Sequence, residues 1–205
     1  MNIYYSKTSG KFTTKISTSI DEDAVASATY KNSYETQGWD FLTISSYEKP
    51  DNKYDDSIKS YAMGYLEGLL NKDRIYSIYR NLMHFSFYDN DLKYPESLVE
   101  FLTKNLEYMK TKSLQLKDSD PYWEHVFYIY QQMLGLFDGY NSVAETEKKL
   151  GLIEFQMVVA NADMEDAVYY QNKTKRPNFK NMTVEEIQLF TALHTHCSAL
   201  IKIDS

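Results

Sequence analysis

At 205 residues, with 43% hydrophobic and 25% charged side chains, the chain is long enough for one hydrophobic core of ordinary globular composition. Its net charge of -7 at pH 7 removes the basic footprint of a nucleic-acid binder and argues against electrostatic docking on anionic membranes. One cysteine excludes an internal disulfide framework and zinc-finger spacing, and no run of about 18 apolar residues marks a membrane span.

Residues 1–50 read as strands. Alternation and Thr, Ser, Ile and Tyr content run through Lys11 to Ser17, Ala24 to Tyr30 and Trp39 to Tyr47. Thr36-Gln37-Gly38 marks a hairpin turn between the last two. Trp39 and Phe41 fall on one face of the third strand and Leu42 and Ile44 on the other, which predicts cover on both sides at its start. The N-terminus, Met1-Asn2-Ile3-Tyr4-Tyr5-Ser6-Lys7, has neither the charged nor the apolar region of a signal peptide.

From Asp55 the period becomes helical, and residues 55–170 read as a helical middle. Ile58, Tyr61, Tyr65 and Leu69 form a stripe, with Ala62 and Leu66 beside it. Gly64 and Gly68 stand four apart on that helix, each costing about 1 kcal/mol relative to Ala, so another backbone is expected to approach closely there. A second helix follows through Ile75, Ile78, Tyr79, Leu82 and Met83, and Pro95 can open a third. Asp120-Pro121 is an N-cap and first-turn pair for a helix carrying Trp123, Phe127, Tyr130, Leu134 and Phe137, with Gly139 as its left-handed cap. Ser142 to Glu145 predicts a capping box for a helix reaching Asn161, and Thr183 to Glu186 a second box for a short helix. Residues 171–196 form an exposed linker, and two sequons offer Asn172 and Asn181 as glycosylation candidates.

His194-Thr195-His196-Cys197-Ser198-Ala199-Leu200-Ile201-Lys202-Ile203 holds the single cysteine at the head of an alternating run. From the residues alone, Cys197 reads first as a small buried hydrophobe and second as a nucleophile. Two histidines and one cysteine lack a nearby fourth ligand, so no metal or cofactor is expected. Asp21-Glu22-Asp23 and the 163–166 acids lack calcium-loop spacing, and no nucleophile elbow, Walker loop or dinucleotide fingerprint is present.

Five segments in register carry a resemblance. They are Gly38-Trp39-Asp40-Phe41-Leu42-Thr43-Ile44, Tyr61-Ala62-Met63-Gly64-Tyr65-Leu66-Glu67-Gly68, Trp123 with Gly135-Leu136-Phe137-Asp138-Gly139-Tyr140-Asn141, Asn161-Ala162-Asp163-Met164-Glu165-Asp166, and His196-Cys197-Ser198-Ala199-Leu200-Ile201-Lys202. Together they resemble the phospholipase B-like proteins, the lamina-ancestor group of N-terminal-nucleophile hydrolases. Met164 stands where that group usually has glycine. The resemblance implies an α+β fold of the αββα, N-terminal-nucleophile type and a precursor that cuts itself between His196 and Cys197. Cys197 then becomes a new N-terminus whose α-amino group serves as base, and its thiolate attacks acyl esters of glycerophospholipids. Amide substrates, a non-catalytic lipid- or partner-binding remnant and a plain structural domain are the alternatives. The chain stops eight residues after Cys197, whereas the family's catalytic sheet follows that strand. The expectation is therefore one incomplete domain (residues 1–205), with Cys197 opening a nucleophile strand over residues 197–205. It would need a C-terminal catalytic portion as partner and have little activity alone. Secretion or a lysosomal address is implied by the resemblance.

Overall fold

The computed structural model describes residues 1–47, 54–87, 93–171 and 173–194. It is an α+β structure that divides into two compact units, Met1–Glu165 and a second beginning at Asp166. The first unit opens with four strands, β1 (Asn2–Ser6), β2 (Lys11–Lys15), β3 (Ala26–Lys31) and β4 (Phe41–Ser46), ordered β2-β1-β3-β4 with antiparallel neighbours. β1 is the strand that sequence patterning does not single out, yet it lies inside the sheet. Ile3 is fully buried, and the sealed Asn2 accepts a 2.6 Å hydrogen bond from Ser27 on β3.

The predicted hairpin between the last two strands is a helical turn, α1 (Tyr34–Gln37), ended by Gly38 at φ 77°. β4 differs from expectation in its cover. Trp39 is 73% exposed and Phe41 51%, while Leu42 and Ile44 are half-buried, because α2 covers the face that carries Ile44 and Trp39 and Phe41 lie on the other.

Asp55 caps α2 (Asp56–Leu70) by accepting from the Ser57 N–H at 2.8 Å. The sealed stripe of α2 is Ala62 and Leu66, flanked by Ile58 and Leu70, packed on Ile3, Val25, Ala26 and Ala28 of the strand region. Residues four apart share a helix face, so α2 gives that stripe to the sheet and turns its two glycines elsewhere. They meet α5 (Pro121–Val143), which Asp120 caps as the sequence predicts, accepting from the Tyr122 N–H at 2.9 Å. Between these helices run α3 (Lys72–Phe87) and α4 (Glu96–Leu116), the latter packed on α5 and α6 (Leu152–Val159).

Two predicted helix boundaries move. Gly139 does not end α5 but lies inside it, and Ser142 belongs to the same helix, donating back to the Gly139 carbonyl at 2.7 Å. Glu145 is drawn into ion pairs with Lys72 and Lys148, so the expected capping box does not form and α6 starts at Leu152 after Gly151. Local capping chemistry lost to a longer packed helix. The second unit carries the remainder of α7 (Met164–Gln171), then 3₁₀ turns and α8 (Val184–His194). There the Thr183–Glu186 box is formed reciprocally, with bonds of 2.7 and 3.2 Å.

Candidate functional site

His196, Cys197 and the alternating run after them lie outside the described residues, as does Asn172. Asn181 is exposed in a 3₁₀ turn, two residues before the Thr183 cap. Among the described residues, the tightest contact is the one between α2 and α5.

The four glycines of these helices face each other. A Cβ built on Gly64 would stand 2.0 Å from the Gln132 carbonyl oxygen, and one on Gly68 2.1 Å from that of Leu136. Reciprocally, Gly135 meets the Tyr61 carbonyl at 2.0 Å and Gly139 that of Tyr65 at 2.1 Å. Contacts advance together along both chains, so the helices run parallel, which requires the long crossover through α3 and α4. Each glycine hydrogen standing in place of a Cβ points at a carbonyl oxygen of the opposite helix, the arrangement of weak Cα–H···O bonds. This close approach offsets four helix-interior glycines that would cost about 1 kcal/mol each.

The rest of the Gly135–Asn141 segment fastens this pair to its surroundings. Asp138 accepts a 2.6 Å bond from the Tyr61 hydroxyl, and the Tyr61 ring stacks on Phe12 of β2 at 4.7 Å. Burial and the Asp138 carboxylate push the Tyr61 phenol well above its ordinary value. Tyr140, 1% exposed, donates to the Lys148 carbonyl and meets Phe155 edge-on at 5.1 Å. Asn141 receives the Leu150 N–H at 3.1 Å and donates to the Leu150 carbonyl at 3.0 Å, closing the turn into α6. Glu67, beside Gly68, is raised above the ordinary carboxyl value by burial.

A polar site that sequence reasoning passed over lies at the far end of α2. Asp40 Oδ1 accepts from the backbone N–H groups of Ser33 and Tyr34, both at 3.0 Å. Its Oδ2 accepts from Arg74 Nε at 2.6 Å and from the Tyr30 hydroxyl at 3.0 Å. Those donors, Arg74 foremost, hold the Asp40 carboxyl down at about 2. The Arg74 guanidinium lies 5.1 Å from the centre of the Tyr34 ring. Beside this cluster a cavity of about 510 Å³ opens between the β3–β4 connection and the α2–α3 junction. Asp40 falls within the Gly38–Ile44 segment, and no spacing rule joins it to Arg74, 34 residues on. A lone aspartate directly after Gly-Trp was the available signal.

Among the described residues no group of His, Cys, Asp or Glu could hold a metal ion, and no helix is long and apolar enough to cross a membrane. The family model described as Phospholipase B matches residues 26–205, from the start of β3 onward. The chain belongs to the phospholipase B family. It is 33% identical over 187 residues to phospholipase B-like protein D of Dictyostelium discoideum, covering 91% of this chain and 32% of that protein. Similarity to putative phospholipase B-like 2 of Homo sapiens is 31% over 190 residues, covering 88% of this chain and 29% of the human protein. The chain thus spans about a third of the length of the curated relatives it matches. The four-glycine contact and the Asn141 clamp lie within the matched residues, and both do architectural work.

Proposed function

We propose that this phospholipase B family chain supplies the latent nucleophile of an acyl hydrolase of the N-terminal-nucleophile type. The observation that supports it is that the family match runs through Cys197, the single cysteine of the sequence. Water hydrolyses the His196–Cys197 peptide bond, leaving a carboxylate on His196 and a free α-amino group on Cys197. A thiol of pKa about 8.5 is mostly protonated near neutrality, and an α-amine of pKa about 7.7 to 8 on the same residue can take its proton. The thiolate attacks the acyl carbonyl of a glycerophospholipid and forms a thioester. The lysophospholipid alcohol leaves with a proton, and water then releases the fatty acid and restores the thiol. Secretion or lysosomal delivery belongs to the same proposal, with Asn172 and Asn181 as glycan carriers.

N-terminal sequencing and mass spectrometry of protein purified from expression of the complete gene test the cleavage. A product beginning at Cys197, together with fatty-acid release that Cys197→Ala abolishes, is the expected result. An uncut chain, or hydrolysis indifferent to Cys197→Ala, overturns the proposal. Release of carboxylate from N-acyl but not O-acyl lipids would replace the ester substrate with an amide. A glycosidase-resistant mass would remove the glycan assignment.

A further inference from the structure

The cavity beside Asp40 has features that the architectural role of Asp40 does not use. Ser33 lines it, yet Ser33 is 4% exposed and its hydroxyl has no hydrogen-bond partner within the protein. A buried, unpaired hydroxyl costs about 1 to 3 kcal/mol, and the Ser33 oxygen is sealed as it stands, so a turn of this side chain towards the cavity, met by a complementary ligand atom, relieves that cost. The backbone of Ser33 is fully engaged, its N–H by Asp40 and its carbonyl by the N–H groups of Thr36 and Gln37, so the hydroxyl is what remains to offer.

The lining sets the class of ligand. Arg74 is a cation, Glu35 and Asp73 are carboxylates, and Asn32 and Asn71 carry amides that both donate and accept. A simple anion would meet these carboxylates as well as the already paired Asp40, and a simple cation would meet Arg74. Closely spaced donors and acceptors of both kinds match a neutral molecule bearing several hydroxyl groups. The Tyr34 ring, 58% exposed, adds an apolar face against which sugar C–H groups can lie. At about 510 Å³ the cavity is of the size that small-molecule sites commonly have, with room for one or two sugar rings.

We propose that the Ser33–Arg74 cavity binds a neutral polyhydroxylated group, that is, a sugar of a glycan or of a glycolipid headgroup. The site makes no use of Cys197 and goes beyond the hydrolase proposal.

The test uses the full chain, titrated by calorimetry with lactose, maltose and N-acetylglucosamine oligomers, and by co-sedimentation with phosphatidylcholine vesicles containing galactosylceramide. Binding of a soluble sugar, or of glycolipid vesicles over plain phosphatidylcholine vesicles, supports the proposal, and the arm that responds tells glycan from headgroup. Ser33→Ala should weaken that binding about two- to tenfold. It should not lower the melting temperature, because it deletes a hydroxyl the fold leaves unpaired. Glu35→Gln gives a second, exposed variant that should weaken binding with the fold intact. Absence of binding in every arm, preference for inorganic phosphate or tetramethylammonium, or binding unmoved by both variants overturns it. Cys197→Ala should leave sugar binding unchanged, so this proposal and the hydrolase proposal fail separately.

Discussion

The glycine face of α2 and its C-terminal end meet their neighbours by opposite means. In its middle, at Gly64 and Gly68, backbone lies against backbone and there is no space for a methyl group. At its C-terminal end, from Leu70 into Arg74 on α3, the neighbours are charged and polar side chains around an open cavity. The first contact is specific because nothing fits between the helices. The second is specific because Asp40 has four donors arranged around it. A contact of the first kind tolerates no added atom, whereas one of the second kind tolerates shape change but not loss of charge.

The largest expected effect follows from that difference. Gly64→Ala or Gly135→Ala would put a methyl carbon 2.0 Å from a backbone carbonyl oxygen, and neither helix can yield without moving the sheet or α4. Chemical denaturation should show a loss of more than about 3 kcal/mol, or no folded protein at all. Gly151→Ala is the control, because there the nearest atom is the carboxylate end of Glu154, a flexible side chain that can turn aside. If Gly64→Ala proved as mild as Gly151→Ala, the helices would not be in backbone contact.

Asn141→Asp should come next. Its carboxylate would keep the Leu150 N–H but face the Leu150 carbonyl, which loses its donor. A loss of about 1 to 3 kcal/mol is expected, read as a lower denaturation midpoint with unchanged slope. An unchanged midpoint would mean that the turn into α6 is held by other contacts.

How much of this was legible depended on whether the cause was local. The Asp120-Pro121 start, the Asp55 helix start and the Thr183–Glu186 box are short-range bonds, and all three were read from spacing. Gly64 and Gly68 were legible too, because two helix-interior glycines four apart demand compensation. Gly139 was misread for the same reason in reverse: Gly-Tyr-Asn looks like a helix end, and only the carbonyl of Tyr65 explains why the helix runs on. β1 escaped notice because its place is set by pairing on both sides, with β2 and β3, and not by its own pattern. Arg74 and Asp40 could not be joined in advance, since their contact depends on how α2 and α3 meet the sheet.

pH sharpens the comparison because carboxyl groups in the two regions titrate with opposite sign. Asp40 is held at about 2 in the folded protein against an ordinary 3.8. Its contribution is therefore present above pH 4 and lost as pH falls towards 2. Glu145, drawn to about 2 by Lys148 and Lys72, adds to the same acid loss. Glu67 is raised by burial, so it favours the folded state below the ordinary carboxyl range and loses that advantage as pH rises and it ionises. Melting temperatures from pH 2 to 8 should show a shallower acid limb in Asp40→Asn. Glu67→Gln should melt higher than the parent at pH 7, with the gain fading below pH 4. Parallel curves for parent and Asp40→Asn would mean that Asp40 does not lose its partners on acidification.

The smallest effect is expected where glycine is needed for its backbone alone. Gly38 sits at φ 77° with nothing within 4 Å of an added Cβ, and its N–H bonds the Tyr34 carbonyl at 2.8 Å. Gly38→Ala meets no neighbour and pays only the left-handed conformation, about 1 kcal/mol, and Gly38→Asn should recover part of it because asparagine visits that region more readily. The turn at Gly38 returns the chain so that Asp40 can receive the Ser33 and Tyr34 N–H groups, so its strain should be transmitted to the cavity. Thermal denaturation should therefore rank parent, Gly38→Asn and Gly38→Ala in falling order, with sugar binding falling in the same order. Equal stability of Asn and Ala variants would show that this turn relaxes out of the left-handed region. The contrast with Gly64 would then rest on crowding alone.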